Sequence, residues 1–114
     1  MQGTSSLFIT DPLSELNLKK DTTILWMQEA SDMGSQIFQC EMKDLIYKDQ
    51  QTYANCVEIP DPNDRPQISS KVDDIKQLKD IDYIFMRKDP PVDEDYMNAL
   101  HLLSQAETEG ANVI

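Results

Sequence analysis

The chain has 114 residues, a length that fits one domain with one modest core. Acidic residues outnumber basic ones 21 to 10, a formal net charge of -11, which disfavours nucleic acid and anionic membrane surfaces because both demand a basic patch. No apolar run approaches the roughly 20 residues that span a bilayer, and the first six residues lack the basic and apolar regions of a secretory signal.

In chain order, residues 1–6 read as a short leader. Leu7-Phe8-Ile9-Thr10 is an apolar run ending at Asp11-Pro12, which predicts a buried strand with a loop at its C-terminal end. Asp21 is a candidate N-cap for a helix from Thr22 to Met33, with Gly34 as its stop. Ile24, Met27, Ala30 and Ser31 fall on the packed side, with Leu25 beside them and Trp26 at the edge. Gln36 to Met42 reads as a second strand in which Phe38, Cys40 and Met42 share a face. Leu45–Lys48 and Gln51–Ile59 around Asp49-Gln50 suggest a hairpin, although the turn lacks the usual Asn-Gly or Asp-Gly.

Pro60 to Pro66 is loop chemistry. Ile68 to Lys79 has two readings: a short helix, because Val72, Ile75 and Leu78 keep helical spacing, or a strand extension near Ile68. Tyr83–Met86 is the most apolar strand, and Pro90-Pro91 forbid both helix and ladder donation after it. Asp93 caps a second helix, where Glu94 and Asp95 favour the positive end and Tyr96, Ala99, Leu100, Leu103 and Ala106 form the buried stripe. Gly110 ends it. Ala111 to Ile114 begins another strand, and the chain stops inside it, as a piece cut at a domain boundary would. Strands alternating with amphipathic helices predict an α/β domain over residues 7–114, with a mostly parallel sheet and helices on its faces.

In open parallel sheets, ligands bind at the C-terminal ends of the strands. Two charged loops fall there. In Met86-Arg87-Lys88-Asp89-Pro90-Pro91, the Arg87 fork suits a carboxylate or phosphate, Asp89 could hold that fork or accept from an amine, and the prolines stiffen the loop. The competing reading is an ordinary strand-to-helix turn with a surface ion pair. Lys19, Lys20 and the helix start at Asp21-Thr22-Thr23 make a second possible anion site, against which Asp21 argues because a cap already occupies the donors. The three glycines are too scattered for a phosphate loop. Cys40, Cys56 and the single His101 match no metal or nucleophile pattern, so the cysteines read as reduced thiols of a cytoplasmic protein and His101 as an outward helix residue. Asp73-Asp74 reads as a solvated face.

Taken in order, Asp11-Pro12 after a strand, Asn17-Leu18-Lys19-Lys20-Asp21-Thr22-Thr23, Glu41-Met42-Lys43-Asp44-Leu45, Met86 to Pro91 with Asp93, and Ala106-Glu107 with Gly110 resemble the N-terminal domain of bacterial-type glutathione synthetase. The resemblance covers about Leu7 to Ile114, and nothing is carried over for Pro60 to Lys79. It implies a flavodoxin-like or Rossmann-like domain that precedes an ATP-grasp domain. The full enzyme joins γ-glutamylcysteine to glycine with ATP and magnesium, phosphorylating the dipeptide carboxylate before the glycine amine displaces phosphate. On this resemblance the ATP-grasp domain lies outside the chain, no cofactor binds these residues alone, and the enzyme is a homo-oligomer. Arg87 would grip a substrate carboxylate. Asp11, Lys20 and Asp21 would line the cleft or the domain interface, and Asp89 would orient Arg87. The alternative is a free-standing flavodoxin-like binding or oligomerisation domain without catalytic activity; a receiver-type reading is weak because Asp11 is alone after its strand and Asp89 follows a basic pair.

Overall fold

The computed structural model describes residues 2–12, 22–60, 74–88 and 92–114. In chain order these form β1 (Ser5–Ile9), α1 (Thr22–Asp32), β2 (Gln36–Cys40), β3 (Leu45–Lys48), β4 (Gln51–Ile59), β5 (Asp74–Gln77), β6 (Tyr83–Met86) and α2 (Glu94–Thr108). The sheet runs β3-β4-β2-β1-β6, with β5 added on β4. It is mixed, where a mostly parallel sheet was expected. β1 pairs in parallel with β2 and β6, whereas β4 pairs antiparallel with β2, β3 and β5. The hairpin is the cause: β4 returns along β3 and continues beside β2, taking an edge that a crossover connection would have filled in parallel.

β1 lies at the centre of the parallel half, and its alternation divides the core between two faces. Leu7 and Ile9 join Phe38, Cys40, Ala99, Leu103 and Ala106 under α2. Phe8 joins Ile24, Met27, Ala30, Ile37 and Ile59 under α1. The helices therefore cover opposite faces, as expected of an α/β domain. β1 starts at Ser5, two residues ahead of the expected Leu7, and Ser6 is fully buried. The preceding residues are also tied down: the Gly3 N–H donates to the Gly34 carbonyl at 3.2 Å, and the Gln36 N–H to that of Thr4 at 2.8 Å.

α1 buries Thr23, Ile24, Met27 and Ala30, but Leu25 is 51% exposed. A residue next to the stripe is rotated by a full residue step around the helix, which here turns Leu25 to solvent. The proposed Asp21 cap lies outside the described residues. Gly34 has φ +93°, and a Cβ there would stand 2.9 Å from the Gln2 Cα, so both backbone and space select glycine. The β3–β4 turn is a two-residue hairpin turn with both central residues at positive φ, Asp49 at 53° and Gln50 at 65°. The turn thus forms without the glycine whose absence weakened the prediction.

The helical reading of residues 68–79 is corrected over 74–77, which form β5. Ile75 pairs with Asn55 and is 62% exposed, whereas Leu78 is buried in a following 3₁₀ turn. Ladder pairing with β4 satisfies the backbone here, and an apolar spacing of three residues does not require a helix once one of its members faces solvent. Asp74 is an exposed partner of Lys76, at 3.3 Å. α2 follows its expectation except that Tyr96 and Leu100 of the expected stripe are only partly buried. The Tyr96 N–H donates to the Asp93 carboxylate at 2.9 Å, Ala99, Leu103 and Ala106 are buried, His101 is exposed, and Gly110 leaves the helix at φ +111°. Val113 then bridges Ile84 in parallel, where the final apolar run joins β6.

Cys40 and Cys56 are buried free thiols in this core. Burial, reinforced by Asp44, pushes the Cys40 thiol well above its ordinary value, and burial pushes Cys56 up to about 11. The thiolate is the reactive form. Both cysteines should therefore label slowly with an aromatic disulfide reagent in the native chain at neutral pH, and promptly in denaturing urea. Rapid stoichiometric labelling of the native chain would contradict the burial.

Candidate functional site

Parallel register gathers three strand ends at one rim. Ile9 lies opposite Cys40 on one side and Met86 on the other. The pairing continues beyond the strands: the Thr10 N–H donates to the Cys40 carbonyl at 2.9 Å, and the Arg87 N–H to the Ile9 carbonyl at 2.8 Å. The segments from Thr10, Glu41 and Arg87 consequently leave the sheet side by side. Period two then separates the two cations after β6. Phe85 packs on the α1 side and Met86 on the α2 side, and Arg87 and Lys88 follow them to opposite faces.

On the α2 side a groove of about 330 Å³ opens between the Asp11 and Glu41 segments and the first turns of α2. Asp11, Glu41, Lys43, Lys88, Asp95 and Asn98 give it both signs of charge, with Met42 and Leu102 as apolar lining. Asp11 and Lys88 form an ion pair at 2.9 Å, both side chains about four-fifths covered. The groove wall is braced from behind. The buried Gln39 amide donates to Thr10 Oγ1 at 3.0 Å, Thr10 Oγ1 donates to the Asp11 carbonyl, and the Glu41 N–H donates to the Asp44 carboxylate at 2.8 Å.

On the α1 side, the Arg87 guanidinium carbon lies 4.5 Å from the centre of the Trp26 ring. Trp26 meets Phe85 edge-on at 5.9 Å, and Phe85 stacks on Phe8 at 4.7 Å. The Arg87 Nε is buried without a hydrogen-bond partner among the described residues.

Of the residues singled out from sequence, Asp11 lines the groove and Arg87 stands at the same rim across the sheet. Lys20, Asp21 and Asp89 lie outside the described residues. Lys88, Glu41, Asp95 and Asn98 were not singled out. The signal for Lys88 was present, because strict alternation from Met86 assigns it the face that Arg87 does not take. Asn98 adjoins the buried Ala99 on α2, and Asp95 lies one turn before it on the same side. Among the described residues no three His, Cys, Asp or Glu side chains group for a metal ion, and no helix is long and apolar enough to cross a membrane.

The family model for the prokaryotic glutathione synthetase N-terminal domain matches residues 5–114, from the first residue of β1 onward. Relatives named glutathione synthetase agree. That of Parasynechococcus marenigrum (strain WH8102) is 42% identical over 109 residues, covering 95% of this chain and 34% of the relative. That of Buchnera aphidicola subsp. Baizongia pistaciae is 34% identical over 111 residues, with coverages of 93% and 33%. That of Vibrio parahaemolyticus serotype O3:K6 is 36% identical over 109 residues, with coverages of 93% and 34%. The chain thus spans about a third of the length of these relatives. The chain therefore belongs to the family of prokaryotic glutathione synthetase N-terminal domains.

Proposed function

We propose that this domain forms one wall of the substrate cleft of a glutathione synthetase, an ATP-dependent ligase that joins γ-glutamylcysteine to glycine. The observation that carries this reading is the convergence of three strand ends on one rim, with Arg87 and the Asp11–Lys88 groove both placed there. Arg87 offers a planar fork of donors to a substrate carboxylate. Asp11 stands in the cleft wall, its carboxylate held against Lys88. Lys20 and Asp21, which precede α1 in the sequence, complete the wall or meet the ATP-grasp domain, and Asp89 steadies the Arg87 loop. The family likeness assigns ATP and magnesium, which supply the phosphoryl transfer, to the enzyme's ATP-grasp part. The protein works in the cytoplasm as a homo-oligomer.

A complete protein carrying this domain should form glutathione from γ-glutamylcysteine, glycine and ATP. The 114-residue chain alone should form none, and calorimetric titration should detect no tight ATP binding to it. Tight ATP binding by the chain alone, or a complete protein that consumes no ATP with both substrates present, would defeat the proposal. A complete protein that forms no glutathione would instead favour the alternative, a free-standing binding or oligomerisation domain without catalytic activity.

A further inference from the structure

We propose that Trp26 is a positioning residue for Arg87, holding the guanidinium flat so that its N–H edges meet a substrate carboxylate. The inference rests on the reading of Arg87 as a carboxylate ligand. A free arginine side chain samples many rotamers, and a bidentate contact needs one plane in one place. Tryptophan is the strongest aromatic platform for a cation, and a stacked guanidinium keeps its edge donors available while one face is covered. The 4.5 Å separation in this chain fits such stacking.

The platform is itself fixed. Trp26 stands on α1, its neighbour Met27 is buried in the core, and the indole meets Phe85, which stacks on the fully buried Phe8. A core-filling indole would be covered, whereas Trp26 is 42% exposed, at the rim beside Arg87. The Arg87 Nε supplies a second argument. It is buried and lacks a hydrogen-bond partner among the described residues. The ring contact, and not a hydrogen bond at Nε, therefore orients the guanidinium among the described residues. Among the described residues the guanidinium is held by a ring face and by no ion pair, an arrangement suited to a ligand.

A double-mutant cycle on the complete enzyme, with γ-glutamylcysteine as the varied substrate, tests this. Trp26→Leu should raise the KM for γ-glutamylcysteine about tenfold, within the range of a desolvated cation–π contact, and leave that for ATP unchanged. Trp26→Phe retains a ring face and should bring the KM back to within about threefold of the parent. In an Arg87→Ala background, Trp26→Leu should add less than about twofold, because its effect acts through Arg87. Trp26→Met, which also lacks a ring, replaces Trp26→Leu if the latter does not fold. Equal effects of the Trp26 change in both backgrounds, or a parallel rise in the KM for ATP, would mean a merely structural role and overturn the proposal. If Arg87→Ala raises the dipeptide KM and Trp26→Leu does not, the positioning role alone falls. If Arg87→Ala leaves that KM unchanged, the underlying assignment of Arg87 falls with it.

Discussion

Phe8→Ala should destabilise the domain by about 3–5 kcal/mol, the usual cost of removing a buried aromatic ring. Phe8 has no exposed surface, lies in β1, a strand paired along both edges, and stacks on Phe85 at 4.7 Å. Small domains unfold with only about 5–15 kcal/mol, so this one change removes a large share of the total. Urea unfolding followed by circular dichroism should show a much lower midpoint at nearly constant slope. Leu25→Ala, at a half-exposed position of α1, should move the same midpoint by no more than about 0.5 kcal/mol. A Phe8→Ala shift as small as that of Leu25→Ala would refute the packing described here. The variant also removes the support beneath Phe85 and so loosens the rim.

Arg87→Ala in the complete enzyme should lower kcat/KM for γ-glutamylcysteine by about 10- to 150-fold. That range corresponds to one charge-assisted hydrogen-bonded contact of about 1.5–3 kcal/mol. The loss should fall mainly on the dipeptide KM, with the KM for ATP within about twofold of the parent, because ATP is assigned to another part of the enzyme. Arg87→Lys should recover only part of the loss, since an ammonium keeps the charge without the planar fork. Steady-state rates with each substrate varied in turn separate these outcomes, and an unchanged dipeptide KM would remove Arg87 from the site.

Much of the fold was legible where a local pattern and its tertiary partner agree. The run Leu7-Phe8-Ile9 is apolar throughout because both of its faces are covered, the signature of a central parallel strand. α2 announced itself by Asp93, its buried stripe and Gly110, all of which act within a few residues of one another. β5 was not legible, because its strand character comes from β4, a partner distant in sequence, while Ile75 and Leu78 mimic a helical face. The site was legible as a place and less so as a set of contacts. The Met86-to-Pro91 segment was recognised, but the decision of which cation enters the groove depends on the phase of β6. Read from Met86, that phase sends Lys88 to Asp11 and Arg87 to Trp26. Asn98 and Glu41 become groove residues only through the packing of α2 across the strand ends, which no short stretch of sequence encodes.

The place of β1 in the sheet also bears on how the chain is made. β1 leaves the ribosome before both of its parallel partners: Ser6 pairs with Ile37 on one side and with Tyr83 on the other. During synthesis the apolar run Leu7-Phe8-Ile9 gains its first neighbour when β2 emerges, and its second edge stays open until β6 appears. Pairings so distant in sequence close slowly, and an unpaired apolar edge invites association with other nascent chains. The architecture that brings Asp11 and Arg87 to a common rim therefore leaves one edge of an apolar strand open until β6 is made.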